Sequence, residues 1–415
     1  MSSNDKRIIS NYLACVTALE YIINQGQHVD KSVDKTAQAS ADKHIVRAVV
    51  SGVIRNYETL ASWVNKHTKL KPKDAVIKHL IMCGVFQYRF LERRPGSAII
   101  YQAAEATVAL NRGWAKPVVY AVLKKATTAP INHERNLPAW LMKKIQKAYD
   151  GTTVKQLLDV WQRPPTMTTL RVNPSQIRTD AYLKNVESAG IEASTCPLSS
   201  FAVHIKSTQV KNLPGLHNQQ VYIQDCIHQK IAASLPPLPK NARVLDACAA
   251  PGGKTSALLC NQPQIQVLAI DKQKSKIKRL KENLAKYPQV TIAHGDALQP
   301  KAWWDKVLFD AILCDAPCSG TGTIQRHPEI KLIQTAKNIE ALQQQQENLL
   351  NDLWPLLKSG GVMLYSTCSI LPEENEDIIA KFLEKTPACS LEASQTFIPD
   401  GKHAGGFYAQ LIKKQ

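Results

Sequence analysis

Apolar residues recur at helical spacing through the first 130 positions of the chain. Ile8-x3-Tyr12-Leu13-x2-Val16-x2-Leu19 and Ile45-x3-Val49-Val50-x2-Val53-Ile54 each line one face of a 3.6-residue period. Similar runs fill 60–68, 73–91, 98–111 and 114–126, and Lys71-Pro72, Arg94-Pro95-Gly96 and Asn111-Arg112-Gly113 separate them. The pattern predicts an all-α domain of five to seven helices. Proline then punctuates the chain at 130, 138, 164 and 165. Residues 135–235 read as mixed, with a helix at 138–150 and short β-like pieces at Thr168–Val172 and Ala202–Ile205. After the proline-rich junction Leu235–Lys240, strand and helix patterns alternate. Strands are expected at Val244–Asp246, Gln266–Ile270, Val290–Ala293, Asp310–Cys314, Gly361–Tyr365 and Phe407–Ile412, with helices at 253–260, 272–286, 330–357 and 373–384. That alternation predicts a parallel, doubly wound sheet, whose ligands bind at the carboxyl ends of its strands. The expected domains are therefore 1–134, all-α; 135–235, a mixed linker subdomain; and 236–415, Rossmann-like α/β.

Length and charge extend this picture. A chain of 415 residues suits two or three domains. No run of 18 apolar residues occurs, so no membrane partner is expected. The ten cysteines lack the short, even spacing of a disulfide framework, and Met1–Arg7 lacks an apolar signal core. A cytoplasmic location follows as the expectation. The formal net charge is +18, and residues 1–150 carry +12 of it, with 23 Lys and Arg against 11 Asp and Glu. A basic front module of this kind expects a polyanionic partner, and nucleic acid is the commonest. The cluster Lys272–Lys281 is a second candidate for phosphate contacts or, equally, a solvated helix face. Gln343–Gln346, inside the expected long helix, reads as a solvated face.

Three segments of the last section carry the chemistry. Val244-Leu-Asp-Ala-Cys-Ala-Ala-Pro-Gly-Gly-Lys-Thr255 is a small-residue turn between a strand and a helix. It is not a phosphate-binding P-loop: the required first glycine falls on Cys248. The dinucleotide pattern G-x-G-x-x-G is absent too. Asp271 ends the second strand and suits a ribose diol, and Asp296, after the third, suits an adenine amine or a neighbouring donor. A nucleoside cofactor without pyrophosphate fits this set, with S-adenosylmethionine the main example. A single such Asp is more often a helix N-cap; acidic or glycine turns after three successive strands favour the cofactor.

Asp315-Ala-Pro-Cys318 and Ser366-Thr-Cys368 each place a cysteine just past an apolar strand. Most cysteines are small buried hydrophobes, but these two are flanked by Pro, Ser, Gly and Thr rather than core residues. Cytosine C5 is a poor nucleophile; a thiolate adding to C6 makes it enamine-like and able to attack a methyl sulfonium. Such chemistry needs a thiolate, an acid near N3, a base for the C5 proton and a flipped-out base. Asp315, Cys318 and Cys368 supply candidate parts, and the residues alone leave open which cysteine attacks. No metal is expected, because Cys314-x3-Cys318 has no second close pair. Cys15, Cys83, Cys196, Cys226, Cys260 and Cys389 carry no motif and read as structural.

These segments resemble the RNA cytosine-5 methyltransferase family, in its Sun, or Fmu, group. Asp246–Thr255 is similar to the family's cofactor motif, Asp315–Gly322 to its fourth motif, and Tyr365–Ser369 with Pro372-Glu-Glu-Asn375 to its sixth. Leu170-Arg-Val-Asn173 and Gln224-Asp225 extend the resemblance over about 165–415. The helical front, with Asp42-x8-Ser51-Gly-Val-Ile-Arg55 and Ser97–Leu123, resembles the NusB fold, which is typical of the bacterial 16S ribosomal RNA members. The resemblance implies a seven-stranded sheet with its fourth and fifth strands adjacent, bringing Cys318 and Cys368 to one base. It implies that Cys368 is the nucleophile, that Cys318 assists release, and that Asp315 contacts the base and the cofactor side. It further implies that Cys248, Ala249, Ala250, Pro251, Gly252, Gly253, Lys254, Asp271, Asp296 and Asp315 hold S-adenosylmethionine. DNA cytosine methyltransferases use the cysteine after proline, which would be Cys318; Thr367-Cys368 argues for the RNA group. The implied reaction is methylation of C5 of one cytosine in 16S rRNA, the family's cytosine 967, by a monomer with no DNA partner. A transfer-RNA substrate and a non-catalytic RNA-binding assembly factor are the alternatives.

Overall fold

The structure is a computed structural model and describes residues 3–37, 41–68, 74–91, 95–131, 136–206 and 210–414. The Lys71-Pro72 break, Arg94 and the expected boundary at 134/135 lie outside the described residues. The chain forms two compact units: Met1–Arg163 with Ile324–Thr335, and Pro164–Thr323 with Ala336–Gln415. Among the described residues, no helix is long and apolar enough to cross a membrane.

The first unit is helical. Helices Ser3–Gln25, Lys43–Arg55, Tyr57–His67, Ala75–Phe90, Gly96–Ala109 and Lys116–Lys125 realise the predicted apolar faces. Leu19, Ile22, Val49, Val50, Val53, Ile54 and Leu60 are fully buried in one core. Asp42 starts Lys43–Arg55 by accepting from the backbone N–H groups of His44 and Ile45 at 3.0 and 3.1 Å. Val29–Thr36 escaped the pattern because its sequence is mostly polar and only Val29, Ser32 and Val33 face inward. Ala139–Ala148 and Gly151–Gln162 also belong to this unit, and the second was not anticipated.

Ile324–Thr335 joins the helical unit although it lies between strands of the other one. Leu332 and Ile333 pack against the helical core. This segment breaks the expected helix 330–357 into a single turn, Ile330–Ile333, and a helix Ala336–Leu353 followed by a 3-10 turn at Trp354–Leu356. The break falls where the chain passes from one unit to the other. Glu329 is only 1% exposed; its carboxylate faces His28 Nδ1 at 3.0 Å. Burial opposes its ionisation, but hydrogen bonds from His28 and His327 outweigh that and hold its pKa at about 2. Lys331 is 2% exposed and donates from Nζ to the Arg55 and Asn136 carbonyls at 2.6 and 2.9 Å. Two acceptors match the two N–H bonds of a neutral amine, and burial, aided by the Arg55 charge, pushes the lysine down to about 7.

The second unit contains two sheets. Strands β1 (Thr168–Val172), β2 (Glu192–Cys196), β3 (Ser199–Lys206) and β4 (Val221–Ile223) form an antiparallel sheet in the order β2-β3-β1-β4. Strands β5 (Arg243–Asp246), β6 (Gln266–Asp271), β7 (Val290–His294), β8 (Phe309–Asp315), β9 (Leu357–Thr367), β10 (Cys389–Phe397) and β11 (Gly406–Lys413) form the larger one. Its order is β10-β11-β9-β8-β5-β6-β7, parallel from β9 to β7 and antiparallel at β11 and β10. The apolar strands β5, β8 and β9 sit at its centre between helices, as a doubly wound sheet requires. Edge strand β10 was missed from sequence because most of its side chains face solvent and only Cys389 and Phe397 are buried.

Two stability predictions follow from the helical unit. A Cβ on Gly52 would stand 1.8 Å from Phe86 Cζ, and that ring is itself stacked on Phe90. Gly52→Ala should therefore cost about 1–3 kcal/mol in urea unfolding, with partial recovery in Gly52→Ala/Phe86→Leu. Between its folded pKa of about 7 and the unfolded value of about 10.4, Lys331 binds a proton only in the unfolded chain. Stability should rise with pH across that window in the natural chain, and unfolding of Lys331→Met measured near pH 7 and pH 9.5 should lack that rise.

Candidate functional site

The carboxyl ends of β5, β6, β7, β8 and β9 meet at one edge of the larger sheet, and a cleft of about 410 Å³ opens there. The loop after β5 forms its floor. Ala247 N–H donates to the Leu313 carbonyl and Ala249 N–H to the Ile270 carbonyl, both at 2.9 Å, so the loop is tied to strands on either side. Gly252 turns it with φ 98°, a left-handed conformation that suits glycine, and its missing side chain lets the backbone lie against Leu280 and Leu284. Helix Gly253–Asn261 then begins. Asp246, at the end of β5, is 1% exposed and accepts from Thr255 Oγ1 at 2.6 Å; burial and the nearby Asp315 raise its carboxyl to about 7.

Cys248, Ala250, Asp271, Asp296 and Asp315 line the cleft, as do Cys318 and Cys368. Ala249, Pro251, Gly252, Gly253 and Lys254 shape the loop or the helix start beneath it. Asp271 accepts from the backbone N–H groups of Ala250 at 3.1 Å and Gln273 at 2.8 Å. One bond per carboxylate oxygen leaves further lone pairs for the cleft. Asp296 accepts from Leu298 N–H at 3.0 Å, and its carbonyl accepts from Trp303 Nε1 at 2.8 Å. Acceptors at the ends of two adjacent strands, a small-residue loop that lets a ligand lie close, and room for a nucleoside fit the donor pattern of S-adenosylmethionine. Lys272 and Lys276 stand at the rim of the cleft, and the basic residues of helix Lys274–Leu284 are exposed.

The cysteines come from neighbouring parallel strands. Asp315 of β8 pairs in register with Ser366 of β9, so the two following turns leave side by side. Cys318 Sγ and Cys368 Sγ are 3.2 Å apart. Lys254 Nζ lies 2.7 Å from Asp315 Oδ2, and Ser366 Oγ donates to Asp315 Oδ1 at 3.1 Å. Burial works against the Lys254 ammonium, but Asp315 keeps its pKa above the usual lysine value. One thiol donates to the other sulfur: Cys318 as donor lowers the Cys368 pKa, with the Lys254 charge assisting, and its own is raised. Cys368 N–H also points at the Cys318 sulfur at 3.3 Å, which favours charge there. On balance the hydrogen bond from Cys318 holds the Cys368 thiol below its usual pKa, against burial and the Asp315 charge.

A buried carboxylate holds both turns. Glu374, fully buried, accepts from Ser319 N–H at 2.8 Å, Ser319 Oγ at 2.5 Å and Ser369 Oγ at 2.6 Å, the residues just after each cysteine. Gln346 Nε2 donates to the same carboxylate at 3.2 Å and to the Pro317 carbonyl at 2.9 Å. Gln346 is fully buried, correcting the reading of Gln343–Gln346 as a solvated face; Gln345 lines the cleft. Asn375 accepts from Thr367 Oγ1 at 2.6 Å and donates to the Ser369 carbonyl at 3.1 Å. The sequence had flagged Pro372-Glu-Glu-Asn375 as a motif without giving it work, and the adjacency of the two cysteine turns was the signal needed.

Known proteins resemble this chain. The family described as 16S rRNA methyltransferase RsmB/F matches residues 232–412, the RsmF/B-like ferredoxin-like domain matches 137–211, and the NusB family matches 12–128. Ribosomal RNA small subunit methyltransferase B of Salmonella paratyphi C is 35% identical over 425 aligned positions, covering 96% of this chain and 97% of that protein. The crystal structure of PH0851 superposes with a TM-score of 0.81 at 22% identity, over 98% of this chain and 99% of that one. A methyltransferase homolog from Pyrococcus horikoshii gives 0.55 at 24% identity, over 67% of this chain and 100% of the other. The chain belongs to the RsmB/F family of 16S rRNA methyltransferases, with a NusB-like helical region at its front.

Proposed function

We propose that this protein methylates C5 of one cytosine in 16S ribosomal RNA, the family's cytosine 967, through a covalent adduct between Cys368 and cytosine C6. The observation that carries the reading is the sulfur pair 3.2 Å apart on the cofactor cleft, with Lys254 and Asp315 beside it. S-adenosylmethionine, when bound, supplies the electrophilic methyl group. Asp271 binds the ribose hydroxyls, Asp296 meets the adenine side, and the backbone from Cys248 to Lys254 lies along the cofactor.

A base flipped out of its stack enters above Asp315. The Cys368 thiolate adds to C6, the C5–C6 double bond becomes an electron pair available at C5, and that pair would take up the methyl group as its bond to the sulfonium sulfur breaks and S-adenosylhomocysteine leaves. Asp315 and Lys254 hold the base by its polar edge. With the Cys368 sulfur engaged on carbon, the proton of Cys318 has lost its acceptor and leaves to solvent. Cys318 then takes the C5 proton; the C5–H pair re-forms the double bond, and the Cys368–C6 bond breaks. Basic residues of the helical unit and the exposed Lys272–Lys281 cluster neutralise RNA phosphates.

Bisulfite sequencing of cellular RNA with and without the gene should reveal one protected cytosine lost from 16S rRNA. Loss from transfer RNA instead would replace the substrate, and no loss at all would sink the enzymatic reading. In the same assay Cys368→Ala should abolish methylation, while Cys318→Ala should accumulate a protein–RNA adduct that survives denaturing electrophoresis. An active Cys368→Ala beside an inert, adduct-free Cys318→Ala would reverse the roles. A second measurement isolates the sulfur pair. Alkylation of Cys368 should titrate below the ordinary thiol value, and Cys318→Ala should move that midpoint up by removing the donor. An unmoved midpoint would show that Cys318 does not tune it.

A further inference from the structure

Away from the cleft, four side chains of the second unit converge: Cys196 at the end of β2, His204 in β3, Cys226 at the start of helix Cys226–Ala233, and His403 in the loop between β10 and β11. Their ligating atoms all lie within 4.8 Å of one another. Cys196, His204 and Cys226 are buried, and the His403 side chain is 14% exposed. We propose that Cys196, His204, Cys226 and His403 bind a structural zinc ion.

Geometry and donor chemistry both favour this occupant. Cys196 Sγ stands 3.5 Å from His403 Nε2, and Cys226 Sγ stands 3.7 Å from His204 Nε2. Zn–S bonds of about 2.3 Å and Zn–N bonds of about 2.0–2.1 Å around a tetrahedron give ligand–ligand edges of about 3.3–3.8 Å. Each imidazole is oriented through its other nitrogen, as metal-bound histidines are: His204 Nδ1 by Thr169 Oγ1 at 3.1 Å, His403 Nδ1 by Asp400 Oδ2 at 2.8 Å. Nδ1–H donation to the Asp400 carboxylate leaves the His403 Nε2 lone pair aimed at the cluster. Two thiolates balance the charge of Zn²⁺, so no net charge is buried. Binding forms two Zn–S and two Zn–N bonds and releases the two thiol protons to solvent.

The structure joins the two sulfurs as a disulfide, the competing use of this pair. Their Cα atoms are 7.0 Å apart, just outside the usual disulfide span of about 4.4–6.8 Å. The ligands at 196, 204, 226 and 403 follow no short spacing, which is why the sequence predicted no metal and read Cys196 and Cys226 as merely structural.

The ion would pin a loop that reaches the active turn. Ala404 N–H donates to Asp225 Oδ2 at 3.1 Å, beside Cys226. Gly405 N–H donates to the Gly322 carbonyl at 2.7 Å, and Gly322 N–H donates to the Cys368 carbonyl at 2.9 Å. The cluster therefore ties β2 and β3 to the backbone that positions Cys368.

The test uses the full chain isolated anaerobically from zinc-replete cells. Elemental analysis should find close to one zinc per chain, and cobalt exchanged into the site should give a thiolate charge-transfer band and the strong visible bands of tetrahedral cobalt. Cys226→Ser should lose the charge-transfer intensity of one thiolate. Asp400→Asn, which keeps all four ligands, should weaken zinc by about 10–100-fold in competition with a chromophoric chelator. Reduced protein that takes up neither zinc nor cobalt would overturn the proposal. So would peptide mapping that finds Cys196–Cys226 fully disulfide-bonded in that preparation.

Discussion

The parallel pairing of β8 with β9 is the constraint on which the candidate site rests. Because Asp315 faces Ser366 in register, the turns that follow start from neighbouring points and their cysteines arrive 3.2 Å apart. Sheet pairing sets only where the turns begin. Glu374 sets where they end, because its one carboxylate accepts from both turns and from Gln346 behind them. Burial pushes the Glu374 carboxyl upward, and four hydrogen bonds from its neighbours act in the opposite sense. The pair of sulfurs is thus held by a polar network behind the two turns.

Much of this was legible in the sequence, for identifiable reasons. The central strands β5, β8 and β9 carry short apolar runs just before their carboxyl ends, so the loops that follow could be read directly. The small-residue loop at Cys248–Lys254 and the carboxylates at Asp271 and Asp296 stood at the expected strand ends and do line or underlie one cleft. Features whose meaning depends on a partner distant in sequence were not legible. Glu374 is one acidic residue among several until both cysteine turns are brought to it. Gln346 sits in a polar run that looks solvated, yet it alone of that run is fully buried, because it is the position facing Pro317. Cys196, His204, Cys226 and His403 span more than 200 positions and meet only through the fold.

The charge asymmetry acquires a physical setting in the two units. The basic front belongs to a helical body whose core is largely aliphatic and whose buried Glu329 and Lys331 come from a far part of the chain. In the second unit Lys254 pairs with Asp315, which lines the cleft. Most of the net positive charge and the sulfur pair thus lie in different parts of one polypeptide.

The path of Ile324–Thr335 has a consequence for how such a protein can be taken apart. The backbone passes between units at 163/164, 323/324 and 335/336, so no single cut separates them. A chain begun at residue 164 would retain a segment evolved to bury Glu329, Lys331, Leu332 and Ile333, now without the helices that receive them. A chain ended at 163 would keep the Arg55 and Asn136 carbonyls but lose the amine that satisfies them. In this chain the insertion means that neither unit is one continuous stretch of sequence.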